Sequence, residues 1–482
     1  MLRLFRPILF ICGILALVMA GLLLAPTLYG YAIQDPEYRA FGFAAGIALV
    51  CGLGLILLGR EERFNLNSRQ LYLLTSLSWL MLSFAGALPL VLIDHPLTLT
   101  DAIFETVSGI TTTGSTVLSH LDHVPRPILL WRSILQWVGG LGVIGMAVSI
   151  LPFLRVGGMR LFQTESSDWS EKSMPRFHEM ARGLLAVYLL ISVLCALSYW
   201  AAGMTPFDAI NHAMTTVSTG GYATDDRSMG RFSNTILWIS VLFMMLGSLP
   251  FTLYVRFLAQ RRLRVLVDQQ AKGFIYIVLF LVLLLTIEQL VVGERGLFEV
   301  LTHAAFNIVS IITTTGYAST DYTLWGEFSI GIFFMVTFIG GCSGSTAGGM
   351  KIFRFQLSYL FLADQMHKLV HPRSVSAIRY NGKPIPDDII SSAVAFSFLF
   401  FIVLAATTLA LTWIGVDFLT AFTGAITALT NVGPGLGETI GPAGNFAALP
   451  DAAKWLLSFA MILGRLELLT VMVLLSPVFW RG

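Results

Sequence analysis

The stretch Phe298-Glu-Val-Leu-Thr-His-Ala-Ala-Phe-Asn-Ile-Val-Ser-Ile-Ile-Thr-Thr-Thr-Gly316 decides how this chain is read. A short apolar run leads into a Thr-rich stretch that stops on a glycine. The plan recurs in Asp101-Ala-Ile-Phe-Glu-Thr-Val-Ser-Gly-Ile-Thr-Thr-Thr-Gly114 and in Asp208-Ala-Ile-Asn-His-Ala-Met-Thr-Thr-Val-Ser-Thr-Gly220. It recurs again in Asp417-Phe-Leu-Thr-Ala-Phe-Thr-Gly-Ala-Ile-Thr-Ala-Leu-Thr-Asn-Val-Gly433. Each copy lies between two long apolar stretches. Four copies, evenly spread, predict four pore-lining units around one axis. A ring of backbone carbonyls is how a protein replaces the water around an alkali cation.

The residue types suit that chemistry. Carboxylates would hold a dehydrated alkali cation too tightly to release it. Backbone carbonyls and Thr hydroxyls have moderate field strength and permit passage. For successive carbonyls to face one axis, the backbone must enter conformations that L side chains disfavour, and glycine enters them without steric cost. The expected cation ligands are Thr112, Thr113 and Gly114; Ser218, Thr219 and Gly220; Thr314, Thr315 and Gly316; and Asn431, Val432 and Gly433. Gly220-Gly221 leaves the second register open by one residue. Asn431-Val-Gly-Pro434 departs from the Thr-Gly pattern, so the ring is only roughly fourfold. A single motif of this kind would read as small residues easing helix packing. Four at one topological position favour the pore.

Composition agrees. The 482 residues are 56% hydrophobic and 12% charged, against about 25% charged in soluble domains. Apolar runs long enough to cross a bilayer cover roughly 7–26, 38–59, 70–93, 128–151, 183–203, 234–258, 273–293, 327–361, 391–415 and 453–477. The expected fold is an all-α membrane protein of about ten transmembrane helices. It divides into an N-terminal helix pair (1–66) and four helix–pore–helix repeats (67–155, 156–264, 265–380 and 381–482). The first apolar run imitates a signal peptide, but it is too long and lacks a cleavage site. It reads as a retained helix.

The great majority of the 30 Lys and Arg fall on the side of the N-terminus, which places both termini in the cytoplasm and all four motifs outside. More than half of the 28 Asp and Glu fall on the outer side, including Asp101, Glu105, Asp208, Asp225, Asp226, Asp321, Asp417 and Glu438. They suggest an acidic mouth that concentrates cations. The loops 152–182, 256–272 and 362–390 are basic and polar, fit to meet partner subunits or anionic lipid headgroups. A net charge of +2 and the lack of a basic stripe argue against nucleic acid. Cys12, Cys51, Cys195 and Cys342 lie in or beside apolar runs and suggest no disulfide framework or metal cluster. The histidines show no metal spacing.

Two features stand apart from the repeats. Gly340-Gly-Cys-Ser-Gly-Ser-Thr-Ala-Gly-Gly349 interrupts the span 327–361 with five glycines, Gly340, Gly341, Gly344, Gly348 and Gly349. Irregular backbone at membrane depth survives only inside protein or beside a watery cavity. Lys351 follows the last glycine, but no Gly-Lys-Ser/Thr sequence exists, so a nucleotide-binding loop fails. Arg465 falls inside the last span, where an arginine is costly and faces a polar path. Glu467, two residues on, does not share its helix face.

Four fused helix–pore–helix units with single glycines, Thr-Thr-Thr-Gly, Ser-Thr-Gly-Gly-Tyr and Asn-Val-Gly-Pro-Gly, resemble the Trk/Ktr/HKT superfamily of potassium transporters. The extra N-terminal helix pair makes the chain most similar to the superfamily's bacterial TrkH branch. The resemblance covers nearly the whole chain. It implies K+ as the transported ion, no organic cofactor, a homodimer in the bacterial inner membrane, and a cytosolic ring of RCK-type nucleotide-binding subunits (TrkA-like). It also implies that the loop 340–349 is a gate under the filter and that Arg465 projects into the pore there. The competing readings are a proton- or sodium-coupled transporter, with Glu288 and Glu467 as the acids within spans, and a membrane enzyme, for which no nucleophile–base pair or metal motif exists.

Overall fold

The computed structural model describes residues 2–60, 66–149, 174–262, 267–293, 296–374 and 377–481. Two antiparallel helices, α1 (Leu2–Ala32) and α2 (Tyr38–Gly59), begin the chain. They cross where glycine replaces side chains. A Cβ on Gly13 would press on the Gly52 carbonyl oxygen at 2.8 Å, and one on Gly52 on that of Gly13 at 3.0 Å. Such approach maximises van der Waals contact, the main attraction between helices in lipid.

The first repeat follows as α3 (Ser68–Leu92), a short α4 (Leu99–Ile110) and α5 (Arg126–Ser149). Asn67 starts α3 with a capping box: its side chain accepts from the Gln70 N–H, and Gln70 returns the bond, satisfying two otherwise orphaned donors. The second repeat is α6 (Met174–Ala201), a short α7 (Pro206–Val217), α8 (Asn234–Ser248) and α9 (Phe251–Gln260). The third is α10 (Gln269–Val292), a short α11 (Leu297–Ile312), α12 (Glu327–Ile339) and α13 (Ile352–Val370). The fourth is α14 (Asp387–Trp413), a short α15 (Phe418–Thr430), α16 (Asp451–Arg465) and α17 (Leu468–Leu475), with a last turn α18 (Pro477–Arg481).

Among the described residues, α1, α2, α3, α5, α6, α10 and α14 are each long and apolar enough to cross a bilayer. Two expected continuous spans are broken instead. The segment expected over 234–258 bends by 87° between α8 and α9, at Pro250, which has no N–H to continue the ladder. The one expected over 453–477 bends by 114° between α16 and α17, where Glu467 takes φ +63°. The segment 327–361 is interrupted where its glycines predict, divided into α12 and α13 by the irregular residues 340–351. The all-helical expectation needs one small correction. Arg379–Tyr380 (β1) pairs with Lys383–Pro384 (β2) in a hairpin across Asn381 and Gly382, both at positive φ, as a two-residue turn of matching twist requires. Of the three basic loops, 152–182 lies mostly outside the described residues, and α9 and α13 extend helically into the other two.

Two apolar cores hold the short helices. One joins the N-terminal pair to the first and fourth repeats, and the other joins the second and third. Val432 of the fourth motif belongs to the second core. The cores therefore meet where the four motifs converge.

Candidate functional site

Each short helix starts and stops for local reasons. Thr98 and Thr205 cap α4 and α7 by accepting from the N–H of Asp101 and Asp208, and Asp417 caps α15 by accepting from that of Thr420. All four helices end at the motifs. The negative ends of their dipoles thus point at one place, equivalent to about half an electron charge each. Beyond the helices the backbone repeats one pattern. Thr112 (φ +53°) and Gly114 (+87°) are left-handed, as are Thr219 (+51°) and Gly221 (+81°), Thr314 (+57°) and Gly316 (+82°), and Asn431 (+55°) and Gly433 (+109°). A β-branched residue held there is strained, and such strain clusters at functional sites.

The middle residues bind back to their own helices in one register. The N–H of Thr113 donates to Ser108 O, Gly220 to Thr215 O and Thr315 to Ser310 O, each at 2.8 Å, and Val432 to Thr427 O at 3.1 Å. The second register is thereby fixed, and it differs from expectation by one residue. Gly221, not Gly220, matches Gly114, Gly316 and Gly433. Gly220 matches Thr113, Thr315 and Val432, while Ser218 matches Thr111, Thr313 and Thr430 at the helix ends.

The four strands close into a ring. A Cβ on Gly114 would run into the carbonyl oxygen of Gly220, one on Gly221 into that of Thr315, one on Gly316 into that of Val432, and one on Gly433 into that of Thr113. The order is first to second to third to fourth to first. Gly114, Gly221, Gly316 and Gly433 all line one vestibule of about 270 Å³. Direct bonds also tie the repeats: Ser115 Oγ donates to Gly433 O at 2.9 Å, and Asn431 Nδ2 to Thr113 Oγ1 at 3.0 Å.

The acidic mouth is smaller than expected. Only Asp225 and Asp226 of the named acids line the vestibule, and Asp225 already accepts from Arg227 and Arg231. Asp101, Asp208 and Asp417 act at helix starts, and Asp321 accepts from the Thr323 N–H. Glu105 is buried against Arg132 at 2.7 Å. These acids are taken by donors folded beside them: Asp417 by the Thr420 N–H, Asp101 by Thr98 Oγ1 and Lys454 Nζ, and Asp208 by Thr205 Oγ1 and Thr224 Oγ1.

Beneath the ring lies the glycine-rich loop. Gly340, Gly344 and Gly349 have positive φ. The Gly348 N–H donates to Thr314 Oγ1 at 2.6 Å, and the Gly349 N–H to Thr430 O at 2.8 Å. Thr219 Oγ1 donates to Thr346 Oγ1 at 3.2 Å, which in turn bonds Val217 O and Gly247 O. The Gly341 carbonyl accepts from the Ile352 N–H. The loop is thus fastened to the second, third and fourth motifs. Arg465 stands at the end of α16 rather than at mid-span, and its Nη2 donates to Thr346 O at 2.8 Å. Its Nε and Nη1 have no partner among the described residues. Arg465 borders a cavity of about 20 Å³ lined also by Gly344, Ser345, Gly348, Lys351 and Asn431, room for about one water.

Sequence reasoning missed the supporting shell. Gln136 Nε2 donates to Gly220 O at 2.5 Å while its Oε1 accepts from the Tyr222 N–H at 3.0 Å. Arg132 lies over the Tyr222 ring at 4.0 Å and reaches Thr116 Oγ1 and Ala223 O. Arg132 and Gln136, four apart in an apolar run, were the available signal, since residues at that spacing share a helix face. Lys351 was also missed. It is buried at φ +70° and donates to Ala347 O. Arg354 and Glu467 pair at 2.6 Å, while Lys351 and Arg465 both line the small cavity.

The TrkH family model, described as a cation transport protein, matches residues 40–481. A Halomonas elongata protein named Trk system potassium uptake protein TrkI is 50% identical, covering 100% of this chain and 98% of its own. TrkH of Vibrio parahaemolyticus, named for the same system, is 38% identical over 99% and 100% of the two chains. The crystal structure of the potassium transporter TrkH from Vibrio parahaemolyticus superposes with a TM-score of 0.91 at 36% identity, covering 99% and 100% of the two chains. With the fold, the four motifs and these relatives in agreement, the chain belongs to the TrkH family of membrane-embedded cation transport proteins.

Proposed function

We propose that this chain is the permeation subunit of a potassium uptake system. The carrying observation is the closed ring, in which each left-handed glycine meets a carbonyl of the next repeat. K+ gathers in the vestibule, sheds water at the ring and descends toward the cavity. Thr112–Gly114, Thr219–Gly221, Thr314–Gly316 and Asn431–Gly433 supply the oxygen ligands; Ser218 ends the second pore helix. The loop 340–349 and Arg465 obstruct the path below. Two unpartnered nitrogens of a guanidinium oppose a cation at short range, and the loop's fastenings are few enough to exchange. A homodimer in the bacterial inner membrane, with both termini cytoplasmic and a TrkA-like nucleotide-binding ring acting on the gate, completes the reading. The family membership, the relatives' names and the charge bias of the loops support it.

The coupled-transporter reading finds little support from its candidate acids. Glu467 lines the small cavity but is paired with Arg354. Glu288 accepts from Gln289 and Ser329 and borders neither the vestibule nor the cavity. Isotope flux into proteoliposomes containing only this chain decides the matter, with an imposed potential and no pH gradient. Potassium-selective uptake that follows the potential is expected. Uptake that needs a proton or sodium gradient would overturn the channel-like reading.

A further inference from the structure

A second cavity lies off the permeation path. It has a volume of about 260 Å³ and sits between α1, α3 and α5. Its walls include Val18, Thr75, Ser78, Trp79, Gly142 and Met146. The two hydroxyls in the wall are spent within their helix: Thr75 donates to Leu71 O and Ser78 to Thr75 O. The cavity therefore offers an apolar ligand no competing polar group, and apolar cavities of about 150 Å³ already take up benzene. Val18 is half exposed at the rim and Gly142 is exposed. The cavity is thus open, among the described residues, on the face that three spanning helices present outward.

We propose that this cavity holds one acyl chain of a membrane phospholipid. Three observations select that occupant. The lining residues sit within the helices α1, α3 and α5, each apolar and long enough to cross a bilayer, so hydrocarbon is the medium at the opening. They lie toward the start of α1, the start of α3 and the end of α5, which are the ends on the N-terminal side, so the chain comes from that leaflet. Gly142 leaves the space open: a Cβ there would meet only the Trp79 ring, at an ordinary 3.8 Å. The site touches the ion path at one residue, Met146, which lines this cavity and the small cavity beneath the ring. Methionine adapts its shape readily, so an acyl chain against one side of Met146 changes the wall on the other. This coupling rests on the permeation reading above; the binding itself does not.

The test uses the full chain in vesicles of phosphatidylethanolamine and phosphatidylglycerol doped with phosphatidylcholine carrying a dibrominated stearoyl chain. Bromine quenches tryptophan only near contact, and Trp79 is only 6% exposed. The emission of Trp79 is the difference between the protein and its Trp79→Phe variant. We expect this emission to be largely quenched by the brominated lipid. Gly142→Phe, which fills the cavity, and Val18→Trp measured against Val18→Trp/Trp79→Phe, which closes the rim, should each restore most of it. Two fillings from different helices keep the result independent of one variant's folding. Unquenched Trp79 emission, or quenching equal in all variants, overturns the proposal. Potassium flux that changes severalfold with Gly142→Phe supports the coupling through Met146, and unchanged flux with restored emission removes the coupling alone.

Discussion

At the residue scale, backbone conformation determines what each glycine tolerates. Gly221 and Gly316 need positive φ and abut a carbonyl of the next repeat. Gly220 lacks positive φ and abuts only the Gln136 side chain. Gly316→Ser and Gly221→Ser are therefore expected to weaken potassium-over-sodium selectivity by roughly tenfold, about 1.4 kcal/mol, and Gly220→Ser by less. Competition of sodium against rubidium-86 uptake reads this, and equal loss at positions 220 and 221 would contradict the register. Arg465 offers a second residue-scale test. Arg465→Ala removes the bond to Thr346 O and a positive charge from the path. Flux should rise, roughly tenfold for about 1.4 kcal/mol off the barrier. Unchanged flux in folded protein would deny it an obstructing role.

At the scale of elements, the breaks matter more than the helices. The breaks at Pro250, at residues 340–351 and at Glu467 lie beneath the ring. There the helices α9, α13 and α17 turn aside, and the loop carrying Gly340–Gly349 fills the space. The pair Arg354–Glu467 joins the start of α13 to the start of α17 at 2.6 Å, and the Arg354 guanidinium lies over the Phe396 ring at 3.6 Å. Removing one partner of such a buried pair leaves a desolvated charge and costs about 3–5 kcal/mol. Glu467→Gln should lower the thermal midpoint of the purified protein markedly. A midpoint within a degree or two of the parent would place the pair in contact with water. Thr205 acts at the other end of an element. Thr205→Ala forfeits a cap worth about 1 kcal/mol and should lower the same midpoint modestly, while leaving ion preference as it was.

At the scale of the whole molecule, four unequal repeats surround one axis, with an added helix pair packed against the first. The ring closes only because each repeat contributes both a glycine and a carbonyl. No pair of repeats contains a complete site. On the proposed channel-like reading, the membrane potential supplies the inward free energy, about 2.3 kcal/mol per charge per 100 mV. Uptake by this chain alone should therefore grow with an inside-negative potential and vanish when the potential is collapsed. Uptake that persists at zero potential against a potassium gradient would require a second coupled ion.

Much of this was legible in the chain itself. Periodic apolar runs set the helices, because a bilayer admits no unsatisfied backbone. The four Thr/Gly stretches marked the ring, because few residues accept positive φ. The five glycines at 340–349 marked the break, because glycine holds a helix poorly. What the tertiary structure decided was partnership. Whether Gly220 or Gly221 faces the vestibule depends on which N–H reaches Thr215 O, and adjacent glycines look alike in sequence. Whether an acid faces the vestibule or binds within its own repeat depends on the donors folded beside it, so Asp225 lines the vestibule while Asp208 accepts from the hydroxyls of Thr205 and Thr224. Arg132, Gln136 and Lys351 gained their meaning only from partners in other repeats or in the folded loop, since a hydrogen bond is made in space and not along the chain.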